Sequence, residues 1–343
     1  MVPSLAIWLN RNYATTVHVL ELLRNNPDRR KITLYGSHKD AASPMLTGCD
    51  HRFMESTLTG SAYVDYALQF CRDHRIKVFL PVYEQLAIAL RANEFAEMGV
   101  AVICPSAESI ELLTDKCATY QALGEHYELV PPWRKVACVA EFEQALEDLR
   151  PLGKPIVVKP ARGVGADGVR FIAENEPTLT ELMGPLNPTA TAAQFVFALK
   201  QAQDSGVSIN PLLVMPYLDS PEVSVDVLAD HGKTVVAVPR SKVGRDRFLS
   251  APEETMQAAR LLVAEFGLDG LVNVQFRQWQ GQAVLLEINT RPSGGLYQTA
   301  MAKLNMPWAA VKLALGEEQE ELKPVLGARY VTVSSSVEMG SKI

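Results

Sequence analysis

Short apolar runs alternate with helical patterns through residues 4–104, and this alternation restricts the fold more than any other feature. Ser4–Leu9 (SLAIWL), Lys31–Tyr35 (KITLY), Lys77–Leu80 (KVFL) and Val100–Cys104 (VAVIC) read as strands. Between them, Thr15–Arg24, Ser61–Arg72 and Glu84–Met98 carry apolar residues at helical spacing. Strands separated by helices predict a parallel, doubly wound α/β sheet covered on both faces. No dinucleotide is implied, because Asn10-Arg11-Asn12 stands after the first strand where a glycine-rich turn would be needed.

The rest of the 343 residues reads as mixed α and β. Pro105–Leu123 predicts one helix, Val139–Leu149 another, and Pro155–Lys159 a strand. A polar stretch, Glu174–Asn210, has helical patches. Strands follow at Pro211–Tyr217, Val223–Leu228 and Thr234–Val238, a helix at Pro252–Phe266, and a pair of strands at Leu271–Arg277 and Gln282–Asn289. The net charge of −6 (33 basic against 39 acidic residues) argues against a nucleic-acid binder, which needs a basic face. Five cysteines without a CxxC pair suggest neither a disulfide framework nor a zinc ribbon and fit a reducing cytoplasm. The opening MVPSLAIWLNRN lacks the basic start of a signal peptide, and no apolar run approaches the ~18 residues of a membrane span.

Residues 163–168, GVGADG, satisfy G-x-G-x-x-G with Gly163, Gly165 and Gly168. The string alone is weak, so its context decides. Val169–Ile172 alternates like a strand, which puts the glycines on a β-hairpin rather than at a helix N-terminus. A Walker loop fails because Gly-Val-Arg follows, and a kinase loop fails because Lys159 precedes the hairpin. What remains is a turn whose backbone N–H groups can close over phosphates, with an ammonium at its base. A lysine within an apolar strand is costly without an anionic partner.

Residues 284–291, VLLEINTR, set Glu287, Asn289 and Arg291 at i, i+2 and i+4, on one face of a continuing strand. Carboxylate and amide oxygens suit Mg²⁺, and the guanidinium suits an anion that the metal would also touch. On the preceding strand, LVNVQF places Asn273 and Gln275 on one face, and pairing across Gln278–Gly281 brings Gln275 towards Glu287.

Taken together, these motifs resemble the ATP-grasp superfamily over about residues 106–315, most closely the carbamoyl-phosphate-synthase large chain and its carboxylate–amine ligase relatives. The resemblance implies a Rossmann-like pre-ATP-grasp domain over 1–105, an ATP-grasp domain over 106–320 with a mobile lid at about 155–217, and a tail over 321–343. Lys116, in TDKCATYQAL, and Lys159, in VVKPARGVGADGV, match the phosphate-binding lysines. LLVMPYLDSPEVSVDVL matches the adenine hinge, with Pro216, Tyr217 and Leu218 at the base and Glu222 on ribose. Met215 stands where many hinges have glutamate, and Pro216 keeps its carbonyl but has no N–H. Gln275, Glu287 and Asn289 match the metal ligands for Mg²⁺ (or Mn²⁺).

The implied reaction converts a carboxylate to an acylphosphate with ATP, for attack by an amine or similar nucleophile. Arg291 would stabilise the acylphosphate. Arg240, in the basic loop Pro239–Phe248, would take phosphate or substrate carboxylate. The partners are then ATP and small molecules, not nucleic acid or membrane, and a homodimer is an assembly open to it. An ATP-binding regulatory protein without turnover, and an ATP-grasp kinase or carboxylase, are the alternatives.

Overall fold

The computed structural model describes residues 4–124, 128–163, 165, 167–183 and 188–333. Val164 and Ala166 of the glycine motif, and positions 334–343 of the expected tail, lie outside the described residues. The chain divides into two compact units. The first takes residues 1–111, 221–276 and 288–343, and the second takes 112–220 and 277–287.

The first unit opens on β1 (Leu5–Asn10), α1 (Thr16–Arg24), β2 (Ile32–His38), β3 (His51–Met54), α2 (Gly60–His74), β4 (Val78–Leu80), α3 (Gln85–Leu90), α4 (Ala92–Glu97), β5 (Ala101–Val102) and α5 (Ala107–Leu113). Its sheet runs in the order β3-β2-β1-β4-β5, all parallel, as the alternation predicts. Every residue of β1 is buried, and the faces alternate. Leu5, Ile7 and Leu9 join the core that holds Leu20 and Leu23 of α1. Ala6 and Trp8 join the core holding Tyr63, Ala67 and Phe70 of α2, where Trp8 stacks on Phe79 at 4.1 Å. The helix expected over Glu84–Met98 is two short helices meeting at Arg91. Arg91 has φ −119° and ψ 24°, outside helical values, and its side chain binds Asp65 and Glu94.

The second unit begins with α6 (Lys116–Leu123) and continues through β6 (Arg134–Val136), α7 (Val139–Leu149), β7 (Ile156–Pro160), β8 (Arg170–Ala173), α8 (Leu179–Leu182), β9 (Thr189–Thr191), α9 (Ala192–Asp204) and β10 (Leu212–Pro216). Its sheet order is β6-β10-β7-β8-β9. Phe142, Leu146 and Leu149 of α7 pack on Ile156, Val158 and Val214 of that sheet. The helix expected over Pro105–Leu123 is broken between α5 and α6. Asp115 caps α6 by accepting from Ala118 N at 3.0 Å, while Lys116 N donates out of the helix to Ala161 O at 2.9 Å.

A six-stranded sheet completes the chain, in the order β15-β14-β11-β12-β13-β16. Its strands are β11 (Asp219–Asp230), β12 (Lys233–Val243), β13 (Asp246–Phe248), β14 (Gly270–Trp279), β15 (Gln282–Asn289) and β16 (Arg329–Val331), with α10 (Glu253–Glu265) and α11 (Met306–Ala314) between them. The segment expected as a loop, Pro239–Phe248, is instead a hairpin. β12 continues to Val243 and β13 returns against it. Among the described residues no helix is long and apolar enough to cross a membrane.

Candidate functional site

Lys159 sits on β7 opposite Leu213 of β10, in the run Ile156–Pro160, and is 7% exposed. Its Nζ lies 3.5 Å from Leu286 O and makes no ion pair among the described residues. Burial pushes its pKa down to about 8; Glu287 pulls the other way, and Lys116 adds to the depression. Lys116, the first residue of α6, is also buried. Its Nζ donates to Gly163 O at 2.9 Å and stands 3.6 Å from Glu287 Oε2. Tyr120, one turn on, donates to Leu285 O and Leu286 O at 2.8 and 3.1 Å and so ties α6 to β15. Two ammonium groups and one carboxylate are thereby gathered around residues 286 and 287.

The glycine motif turns between β7 and β8, which pair antiparallel with Val157 opposite Phe171. Gly165 and Gly168 hold φ of +63° and +75°. A Cβ at Gly168 would meet Pro160 Cγ at 2.7 Å, so glycine is required there by backbone and by space. Gly163 gives its carbonyl to Lys116. At the expected adenine hinge, Met215 and Pro216 end β10, and Tyr217 N donates to Pro155 O at 2.7 Å. Leu218 is buried and its carbonyl accepts from Arg277 at 3.1 Å, while the Arg277 guanidinium lies 5.3 Å from the Tyr217 ring centre.

In the first unit the polar residues of three strands form one chain of hydrogen bonds. Asp226, fully buried on β11, takes Arg240 Nε at 2.5 Å on one oxygen. Its other oxygen takes Asn273 Nδ2 at 2.9 Å and Ser293 Oγ at 2.7 Å. Asn273 Oδ1 then accepts from Gln275 Nε2 at 3.1 Å. Burial works against the charge of Arg240, but Asp226 outweighs it and holds the pKa above the usual arginine value. Arg240 is therefore committed to Asp226, Ser224 and Ser293 rather than displayed on a solvated loop. Glu222 lies opposite Lys242 on the same pair of strands, half-buried. β15 ends at Asn289, so the alternation that sets Glu287 and Asn289 on one face stops before Arg291. Arg291 instead lies over the Tyr13 ring, 4.9 Å from its centre.

Asp226 and Ser224 escaped the sequence reading. Their signal is VSVDVL, where Ser224 and Asp226 alternate with valines and so share one strand face.

Carboxylate and amide oxygens are the donors that a hard cation takes. Glu287 supplies a carboxylate and Asn289 an amide oxygen two residues on. The bonds from Asp226 through Asn273 direct the Gln275 nitrogen inward, which leaves its oxygen as the presented end.

Residues 208–336 match the family model described as ATP-grasp in the biosynthetic pathway with Ter operon. The carbamoyl phosphate synthase large chain of Clostridium botulinum is 23% identical over 265 residues, and that of Clostridium perfringens 26% over 261; each match takes in 71% of this chain. The chain spans about a fifth of the length of these relatives, since 22% of each is covered. N5-carboxyaminoimidazole synthetase from Staphylococcus aureus superposes with a TM-score of 0.66 at 14% identity, covering 94% of this chain and 81% of its own. Biotin carboxylase from Campylobacter jejuni, solved in complex with β-γ-ATP, gives 0.63 at 16%, covering 92% and 72%. With the lysines, glycine hairpin and β14–β15 strands in the order that the motifs predict, the chain is similar to ATP-grasp proteins in sequence over residues 208–336 and in fold over most of its length.

Proposed function

We propose that the chain is an ATP-dependent ligase that activates a carboxylate as an acylphosphate for attack by an amine. The observation that carries this reading is Lys159, an ammonium buried without an ion-pair partner among the described residues, in reach of the Glu287 charge. Such a group is expensive to keep unless an anionic ligand takes it. Lys116 and Lys159 would hold the ATP phosphates, and the N–H groups around Gly163, Gly165 and Gly168 would close over them. Pro216 O, Tyr217 and Leu218 would take adenine, and Glu222 ribose.

Gln275, Glu287 and Asn289 would hold Mg²⁺ (or Mn²⁺). Bound there, the ion would neutralise the charge of the transferred phosphoryl group. Arg291 would bind the acylphosphate. Arg240, through Ser293, would fix the Pro292–Gly295 turn that follows it. No covalent nucleophile is required of the protein, so catalysis rests on positioning and charge. The proposed lid, about 155–217, would close with the hairpin on ATP. The five free thiols support a cytoplasmic location.

Incubation with ATP, Mg²⁺ and amino-acid mixtures tests the reading. A ligase releases phosphate only when an acceptor is present. Phosphate retained on a product would make the protein a kinase. Absence of turnover with every mixture, despite nucleotide binding, would favour a regulatory role.

A further inference from the structure

At the carboxyl end of the parallel sheet, β1 lies between β2 and β4, where the strand order changes direction. Crevices at such switch points are where open α/β sheets bind ligands. Asn10, fully buried, closes the end of β1 by accepting from Val82 N and Tyr83 N at 2.7 and 3.1 Å. Arg11 follows with φ of +28°, outside the usual range for a residue with a side chain. Its guanidinium lies over Tyr83, 3.5 Å from the ring centre, and donates from Nη2 to Ser56 O at 2.6 Å. The Nε–H is shut off from solvent and has no acceptor.

A buried N–H without an acceptor is costly, and most such groups are paired. The neighbouring carboxylate does not pair with it. Glu55 influences Arg11 electrostatically, but its oxygens accept from Ser37 Oγ at 2.8 Å, Tyr63 OH at 3.2 Å and Ser56 N at 3.0 Å. Burial raises the Glu55 pKa above the usual carboxylate range, which weakens its claim on a cation. A second arginine reaches the same edge. Thr290 is locked to Gln85, two residues past Tyr83, by bonds of 2.9 and 3.0 Å. That pairing brings in Arg291, which itself lies over the Tyr13 ring and donates to Pro292 O across a long 3.4 Å. Two guanidiniums are thus held over tyrosine rings at this edge, and the Arg11 Nε–H is left without an acceptor among the described residues.

We propose that this edge binds an anionic group of the substrate, a carboxylate or a phosphate, through the guanidinium of Arg11. The role of that group as substrate rests on the ligase reading. It narrows the substrate to a molecule with an anionic handle besides the carboxylate that is activated.

The test follows the Arg11 Nε–H resonance in protein labelled with ¹⁵N-arginine. Succinate and inorganic phosphate are titrated separately against sodium chloride at equal ionic strength, with Lys159→Ala run in parallel to discount phosphate on the lysines. The expected result is a saturable shift with at least one anion, and the stronger of the two identifies the handle. Calorimetry should show that anion binding roughly tenfold weaker or more in Arg11→Gln, the loss of a charge-assisted bond. Arg11→Lys, which keeps the charge but not the planar fork, should also bind more weakly. Shifts no larger than those with sodium chloride, or unchanged affinity in both variants, would overturn the proposal. MgATP binding, measured on the same samples, separates the two readings. If MgATP binds and Arg11 stays silent, only the anion site falls. If Arg11 responds and MgATP does not bind, the ligase reading falls.

Discussion

Asn273 donates its side-chain amide to Asp226 at 2.9 Å, and this bond settles which end of Gln275 is presented. Asp226 is ion-paired with Arg240 and can only accept, so Asn273 must turn its nitrogen to it and its oxygen to Gln275. Gln275 then gives its own nitrogen to Asn273, and its oxygen is the end proposed to meet a cation. Partners behind a ligand typically contribute 10–100-fold to metal affinity. Asn273→Leu is therefore expected to weaken Mn²⁺ binding in the presence of ATP by about tenfold, read by electron paramagnetic resonance of free Mn²⁺. Unchanged Mn²⁺ affinity in a folded variant would remove this orienting role.

The Asp226–Arg240 pair should behave as a buried ion pair. Asp226→Asn leaves Arg240 uncompensated and is expected to cost about 3–5 kcal/mol in denaturant unfolding. Adding Arg240→Met should recover part of that loss, because the stranded charge is gone. Additive losses in the double variant would show that the two side chains are not coupled.

Lys159 is expected to make nucleotide binding sensitive to pH. Its pKa is about 8 in the folded chain against 10.5 in the unfolded one. Below about 8 both states are protonated and the folded state bears the full cost of the buried charge. Between 8 and 10.5 the unfolded state holds more protons, so this contribution to stability grows as pH rises. ATP phosphates would restore the proton. At about pH 8.5, above the titration of the phosphates, binding should draw a proton onto Lys159. Calorimetry in two buffers of different ionisation enthalpy should detect uptake in the wild type and none in Lys159→Ala. Equal uptake in both would assign the proton elsewhere.

Gly168 and Gly165 differ in what surrounds them. Gly165→Ala meets open space and only the cost of positive φ, about 1–2 kcal/mol. Gly168→Ala adds a clash with Pro160 and should lower the melting temperature further and loosen the β7–β8 hairpin. Hydrogen exchange at residues 167–172 checks this, and equal protection in the two variants would contradict it.

The β7–β8 hairpin and Lys159 were legible because glycines, alternation and one misplaced charge lie within a few residues of each other. The first sheet was legible for the same local reason. The break between α5 and α6 was not. Residues 105–123 keep helical spacing, and what ends the first helix is a backbone bond from Lys116 to Ala161, 45 positions away. Arg240 is expected from the sequence to sit in a basic loop and take phosphate or substrate carboxylate, because its partner, Asp226, lies on the neighbouring strand, 14 residues back. Arg291 departed from its expected face because β15 stops at Asn289, and the Tyr13 ring that receives Arg291 comes from the start of the chain.

Glu287 is proposed to serve a metal beside Lys116 and Lys159. It stands 3.6 Å from Lys116, and Glu287→Gln keeps nearly the same volume while removing the only carboxylate of the proposed ligand set. The most direct measurement is ATP affinity of wild type and Glu287→Gln by calorimetry, each with Mg²⁺ and with EDTA, beside a thermal melt. Mg²⁺ is expected to tighten ATP binding in the wild type and to have little effect in the variant, whose metal-free binding through Lys116 and Lys159 should persist. An undiminished Mg²⁺ effect in a normally folded Glu287→Gln would contradict the assignment of β15 as the metal-binding strand.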